Sequence, residues 1–590
     1  MSASPPSARE TDVATDATRQ VSSGRWFGRI AVAFTLFLLV LGYLLAGLSD
    51  PATQSLSPTP VKWIPTKSEP TTRDAAPATF PQDPPDAAFS ATQKLATERW
   101  ERHLAEQGLQ PAADADWLTI CRRQSLALVG AHLSLQEIRH LQTLPEAQRT
   151  ETHLRGLLED QRFHDYWAER WARLLVGNDE GEFVTFRRRR FRVWLSEFFA
   201  DPNSHHDDLV RSVVASEGLW TDHPEVNFIT ATFDSNGSQP DPIRLAARTS
   251  RVFLGLRIDC LQCHDDFLGN VSLGDQGDRR GGMQQDFHQL AAFYSSATNN
   301  GLQGVKSGEA EYEFKYLHDE EQSSVPAKVP YGSQYLQSTG NPRQDLAMWI
   351  VDAKNRQAAR AAVSHVWALM FGQPDGEAVD NLPLDETSGP VLETFVDDFI
   401  ANDFDYRRLV RLIAQSKPFT RASEAEFEIT QRHERSGAAF PLVPLRSEQV
   451  AGSILTATRI KTVSRDSSFL VQLINLTTGN EFITRYGDLG EEELKAESVT
   501  IPQRLLMMNG KLSRDSIKAN PFLAATSHLS MFSDDRDELI ENAYLCVLNR
   551  RPEAIESEAM VELFEDRSDE KAMEDLFWIL INSSEFVWNH

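Results

Sequence analysis

The sequence predicts a mainly α-helical protein: an N-terminal transmembrane helix, then two helical domains with a short β-containing link between them. Three observations predict it. Residues 30–48, IAVAFTLFLLVLGYLLAGL, run nineteen positions without a charge, close to the ~20 apolar residues that span a bilayer core. Across residues 91–300 and again across 341–590, apolar residues recur three and four apart, which puts them on one face of successive helices. Between these stretches, residues 301–340 alternate polar with β-branched or aromatic residues, the period of a strand pair.

Residues 1–25 are rich in Ser, Thr, Ala and charge and read as a disordered tail. The transmembrane helix is placed at 26–48, because extension back to Trp26 crosses only Arg29, and an arginine at a helix end reaches the interface with its head group. A cleaved signal peptide would carry a shorter apolar region of about 7–15 residues. Arg19, Arg25 and Arg29 precede the span and only Lys62 lies at a similar distance after it. Positive charge stays inside, so the tail is expected in the cytoplasm and the bulk of the chain outside it, in the periplasm or an equivalent compartment. Residues 49–90 hold nine prolines and read as a semi-extended linker.

The helical region at 91–300 opens with ATQKLATERWERHLAEQGL, where Gly108 offers a stop. Ser134 and Glu137 form a capping-box pattern. Phe163, Trp167, Trp171, Leu174 and Leu175 fall on one stripe and are expected in the core. After the 301–340 link, the helical pattern resumes with LAMWIVDAKNRQAARAAVSHVWALMFG.

A formal charge of −26 argues against a nucleic-acid partner, which requires a basic surface. The basic run at 187–190 is expected to be a solvated helix start, salt-bridged to acidic neighbours such as residues 179–182. His205 and His206 are expected in a polar turn. Four cysteines, Cys121, Cys260, Cys263 and Cys546, are too few for a disulfide scaffold.

The chemistry concentrates in RIDCLQCHDDF, residues 257–267. Cys260, Cys263 and His264 form Cys-x-x-Cys-His, the attachment pattern of c-type haem. Thiols three residues apart lie near one another on a helical turn, so both can bond one macrocycle, and the adjacent imidazole can serve as proximal ligand to its iron. Covalent haem attachment occurs outside the cytoplasm, in agreement with the topology. A structural Cys260–Cys263 disulfide is the competing reading. Zinc needs four ligands and the motif supplies three at most. Met283 or His288 downstream, and His223 upstream, are candidates for a distal ligand. Arg251 and Arg257, with Phe253 and Phe293, are candidates for propionate partners and an apolar wall.

The segments RVFLGLRIDCLQCHDDF and DFHQLAAFYSS, with the Trp-rich helices FHDYWAERWARLL and FRVWLSEFF before them, resemble the cytochrome-like domain of unknown function of planctomycetes. LAMWIVDAKNRQAARAAVSHVWALMFG, FDYRRLVRLIAQSKPFTRAS, LRSEQVAGSIL, RLLMMNG, YLCVLNRRPEAIESE and INSSEFVWNH resemble its usual C-terminal partner domain. The resemblance covers roughly residues 91–590. It implies an exported protein, often beside secreted, sulfatase-like proteins, which by association points to surface polysaccharide handling, and it implies no established activity. Asp266-Phe267 stands where the family has His-Pro, and Ser364-His365 where it has Asn-Arg. The expectation is a membrane-anchored, extracytoplasmic cytochrome-like protein with haem c, for electron transfer or redox sensing. The alternative is a non-redox surface scaffold with a Cys260–Cys263 disulfide. No spacing of carboxylates singles out a catalytic pair, and the redox partner or polysaccharide stays unnamed.

Overall fold

The computed structural model describes residues 86–177, 188–233, 239–308, 310–462, 482–483, 485–486, 500–518, 524–533, 535–565 and 567–590. The expected tail and transmembrane helix lie outside the described residues, as does nearly all of the linker. Among the described residues no helix is long and apolar enough to cross a membrane. Residues from Asp83 to His590 form one compact unit, mainly helical with a few strands of two or three residues.

Local signals act where the sequence places them. The first helix runs Ala87–Gln107, starting inside the expected linker because Asp86 accepts a hydrogen bond from the Ala88 amide at 2.9 Å and caps it. It stops at Gly108 with φ 63°, a conformation that favours glycine. In the helix Leu135–Gln142 the capping box closes: Glu137 N–H donates to Ser134 Oγ at 3.2 Å, and Ser134 N–H to Glu137 Oε2 at 2.8 Å. The link forms antiparallel ribbons, Ala297–Asn299 with Val305–Ser307 and Glu313–Phe314 with Ser323–Ser324.

Helix Gln161–Val176 packs along helix Arg188–Ala200. Phe163, Trp167, Trp171 and Leu175 are buried there, as the stripe predicts. The charged side chains of the pair are fastened by one carboxylate. Glu169 accepts from Arg173 at 3.1 Å, from Arg188 at 2.7 Å and from Arg192 at 3.3 Å. Arg188 therefore finds its acidic partner on the neighbouring helix; the acidic residues 179–182 lie outside the described residues.

The hydrophobic core shows no break near residue 340. One cluster runs from Phe89 to Phe440 and holds Trp167, Trp171, Phe253 and Trp349 together. A second cluster joins Leu118–Leu141 side chains to those of residues 445–587. Helix Trp117–Val129 straddles the two, with Ala127 and Leu128 in the first and Leu118, Cys121 and Leu126 in the second. A helix buried all round cannot belong to one domain of an in-line pair, so the sequence boundary between the two segments is not a boundary between cores. The same helix buries Arg122 and Arg123, which donate to backbone carbonyls: Arg123 Nη1 to Phe419 and Arg421 O, both at 2.7 Å, and Arg122 Nη2 to Trp588 O at 2.9 Å.

Candidate functional site

The site is built at the end of helix Pro242–Leu254, which stops at Gly255 with φ 61°. The chain then makes a single 3₁₀ turn, Asp259–Gln262. Cys260 lies within the turn and Cys263 caps it, its amide donating to the Cys260 carbonyl at 3.3 Å. Leu261, between them, is fully buried and anchors the turn. Gly282 packs closely against it, and a Cβ there would come within 2.8 Å of Leu261 Cδ1.

Polar contacts hold the turn from both flanks. Arg251 Nε donates to Asp259 Oδ2 at 2.7 Å. Arg257 donates through Nε and Nη2 to the Asp380 carboxylate, at 3.2 and 2.8 Å. From beneath, the Gln262 carbonyl accepts from Gln284 Nε2 at 2.9 Å and from His288 Nε2 at 3.1 Å. Asp265 and Asp266 fix the loop that follows, accepting from the amides of Gln284 at 2.7 Å and Val271 at 2.6 Å.

The motif itself faces solvent. Cys260, Cys263 and His264 are all exposed, and both thiols are free. His264 Nδ1 lies 2.8 Å from the Asp265 carbonyl oxygen. A carbonyl can only accept, so in the neutral ring the proton sits on Nδ1 and Nε2 keeps its lone pair. Phe267 stacks on the imidazole, with ring centroids 6.0 Å apart and planes 21° from parallel. Phe267 is 74% exposed and Leu268 84% exposed. Covering two such side chains would recover about 1–2 kcal/mol each. The Cys260 thiol is pushed up, by desolvation first and then by the Asp266 carboxylate. That is the opposite of the thiolate-favouring setting of a reactive redox cysteine.

Sequence-predicted partners divide. His288 is fully buried. Its Nε2 donates to Gln262 O, so Nδ1 accepts from the Tyr312 hydroxyl at 2.9 Å. With both nitrogens engaged, and Phe314 stacked 3.4 Å away, His288 positions the cysteine turn and offers no distal lone pair. Burial lowers its pKa, keeping it neutral. Met283 is exposed at the start of helix Gln284–Ala291. His223 is exposed beside Glu225, at 3.3 Å. Phe253 and Phe293 are core residues, while Arg251 and Arg257 are committed to Asp259 and Asp380. A cavity of about 300 Å³ is lined by Arg257 and Asp259, and not by Cys260, Cys263 or His264. His206 is buried in the core instead of lying in a polar turn, hydrogen-bonded through Nδ1 to the Tyr406 hydroxyl. Among the described residues no group of three His, Cys, Asp or Glu side chains could hold a metal ion.

The donor set fits a covalently attached haem. Two exposed thiols lie three residues apart on and just after one turn, and in the neutral ring of the adjacent imidazole Nε2 keeps its lone pair. Sequence reasoning named these three residues and missed Gln262, Gln284 and Phe267, whose roles depend on backbone positions that no spacing encodes.

Residues 99–299, which include the motif, match the model of a family described as a protein of unknown function, DUF1549. Residues 342–472 match a second, described as a protein of unknown function, DUF1553. No curated protein and no solved structure matches the chain.

Proposed function

For a chain built of a DUF1549 domain followed by a DUF1553 domain, we propose a c-type cytochrome-like role: haem held by Cys260 and Cys263, with His264 as the protein ligand to iron. Residues 26–48 anchor the chain in a membrane, and residues 49–90 tether the folded body outside the cytoplasm. When bound, the haem supplies one-electron transfer. The chain's own residues do the rest. The Asp265 carbonyl fixes the His264 tautomer, the Gln262 carbonyl and its two donors hold the turn, and Phe267 and Leu268 give an apolar surface for a macrocycle to cover. The observation that carries the reading is the Nδ1–H contact of His264 to Asp265 O, because it leaves the ligating nitrogen free beside both thiols.

A haem placed on this surface stays partly in water, which suits exchange of electrons with a docked partner more than chemistry on an enclosed substrate. The raised Cys260 thiol supports the haem reading over thiol–disulfide exchange.

The test is expression of the exported chain with a haem-maturation system. The protein should remain coloured through denaturing electrophoresis, and Cys260→Ser with Cys263→Ser should abolish the colour. His264→Ala should keep covalent haem and shift its absorption bands. A colourless wild-type protein whose thiol count rises by two on reduction would establish the scaffold with a Cys260–Cys263 disulfide instead.

A further inference from the structure

The cavity of about 300 Å³ lies within the size range of small-molecule sites. It is walled by residues 170–177 and 244–259 on one side and 365–380 on the other, so both family segments contribute. Six arginines line it: Arg170, Arg173, Arg244, Arg248, Arg251 and Arg257. Among the described lining residues, Asp259, Glu377 and Asp380 are acidic. Four of the six arginines are ion-paired, Arg170 with Glu448, Arg173 with Glu169, Arg251 with Asp259 and Arg257 with Asp380, while Arg244 is exposed. The rest of the wall is apolar, with Leu174, Val252 and Leu369 prominent.

One lining residue points to a ligand independently of charge. His365 is 2% exposed, and its ring faces the backbone of Arg251 and Val252 without a well-aligned hydrogen bond at either nitrogen. A buried polar side chain left unpaired costs roughly 1–3 kcal/mol. Desolvation holds its pKa low against the Asp380 carboxylate and the backbone of Arg251 and Val252, so the neutral ring offers one donor and one acceptor. Arg257 spends Nε and Nη2 on Asp380, which leaves Nη1. Arg244 is exposed and makes one long contact, Nη1 to Thr232 O at 3.4 Å.

We propose that this cavity binds a small organic anion. Arg244, Arg257 and His365 hold its oxyanion, and Leu174, Val252 and Leu369 take its apolar body. Guanidinium forks match the geometry of carboxylate, phosphate and sulfate alike. The site adjoins the cysteine turn through Arg257 and Asp259 but is not lined by Cys260, Cys263 or His264, and it does not depend on haem.

Benzoate, phenyl phosphate and phenyl sulfate share one body and differ in the oxyanion. Each is titrated by calorimetry into the full-length protein at matched ionic strength, beside inorganic phosphate and sulfate. At least one phenyl compound is expected to bind saturably and more tightly than its inorganic ion. Which one wins identifies the oxyanion. Arg244→Ala and His365→Phe should each weaken that binding by about tenfold or more, the worth of one charge-assisted hydrogen bond. Arg244 is solvent-facing, so its variant decides the matter even where His365→Phe does not fold. The proposal falls if no compound saturates, if inorganic ions bind as tightly as the phenyl compounds, or if Arg244→Ala binds as the wild type does.

Discussion

Replacing Glu169 with Gln tests whether one carboxylate fastens the two helices that carry much of the first core. Gln keeps the volume and removes the charge. Glu169 faces Arg173, Arg188 and Arg192, and its side chain is 20% exposed. Burial opposes its ionisation, but hydrogen bonding from Arg188 and the charges of Arg188, Arg173 and Arg192 prevail, and its pKa falls from 4.5 to about 2. At 1.36 kcal/mol per unit that shift corresponds to roughly 3 kcal/mol, trimmed to about 2–3 kcal/mol for residual exposure. The folded-state pKa is depressed, so the stabilisation is fully present above pH 4.5 and is lost as pH falls toward 2. Guanidinium denaturation of wild type and Glu169→Gln at pH 7 should differ by about 2–3 kcal/mol, and at pH 3.5 by about 1 kcal/mol less. A difference under about 0.5 kcal/mol at pH 7, or the same difference at both pH values, would refute the clamp.

Further outcomes can be checked on the same protein. Haem-free protein treated with iodoacetamide near pH 8 should label at exposed Cys263 first and at Cys260 more slowly, because its thiol is raised, and at Cys121 and Cys546 only on unfolding. The latter pair is buried and desolvation raises both thiols, Cys546 to about 12. Peptide mass mapping reads this, and early labelling of Cys121 would contradict its burial. Ser134→Ala should cost about 1 kcal/mol by removing the capping box, measured as a fall in thermal midpoint. Desolvation lowers His132 and His206 to about 3 and His153 to about 4 from 6.5. Each folded-state pKa is depressed, so the unfolded chain takes up the protons first and stability falls as pH drops below 6.5. The thermal midpoint should therefore decline between pH 6.5 and 5; a flat profile there would show that these histidines can be protonated in place. His288→Phe should leave surface Cys260 and Cys263 chemically intact yet loosen the turn, seen as faster amide exchange at residues 259–263.

The sequence by itself determined the helical class, the buried tryptophan stripe, the capping box at Ser134 and the helix stop at Gly108. Each is written in spacing of 3.6 residues or in one residue's own φ preference, and both act within a few positions of the chain. It also named Cys260, Cys263 and His264, because the motif is contiguous. Tertiary structure alone decided the rest. Residue 340 reads as a domain boundary because the hydrophobic period changes there, yet the core passes through it, since burial depends on which faces meet in space. His288 looked available as a ligand until Gln262 O and Tyr312 were found against its two nitrogens, 26 and 24 residues away. The arginine-lined cavity was illegible for the same reason. Its arginines come from two separate segments and His365 from a third, and only packing brings Arg170, Arg244, Arg257 and His365 to one space.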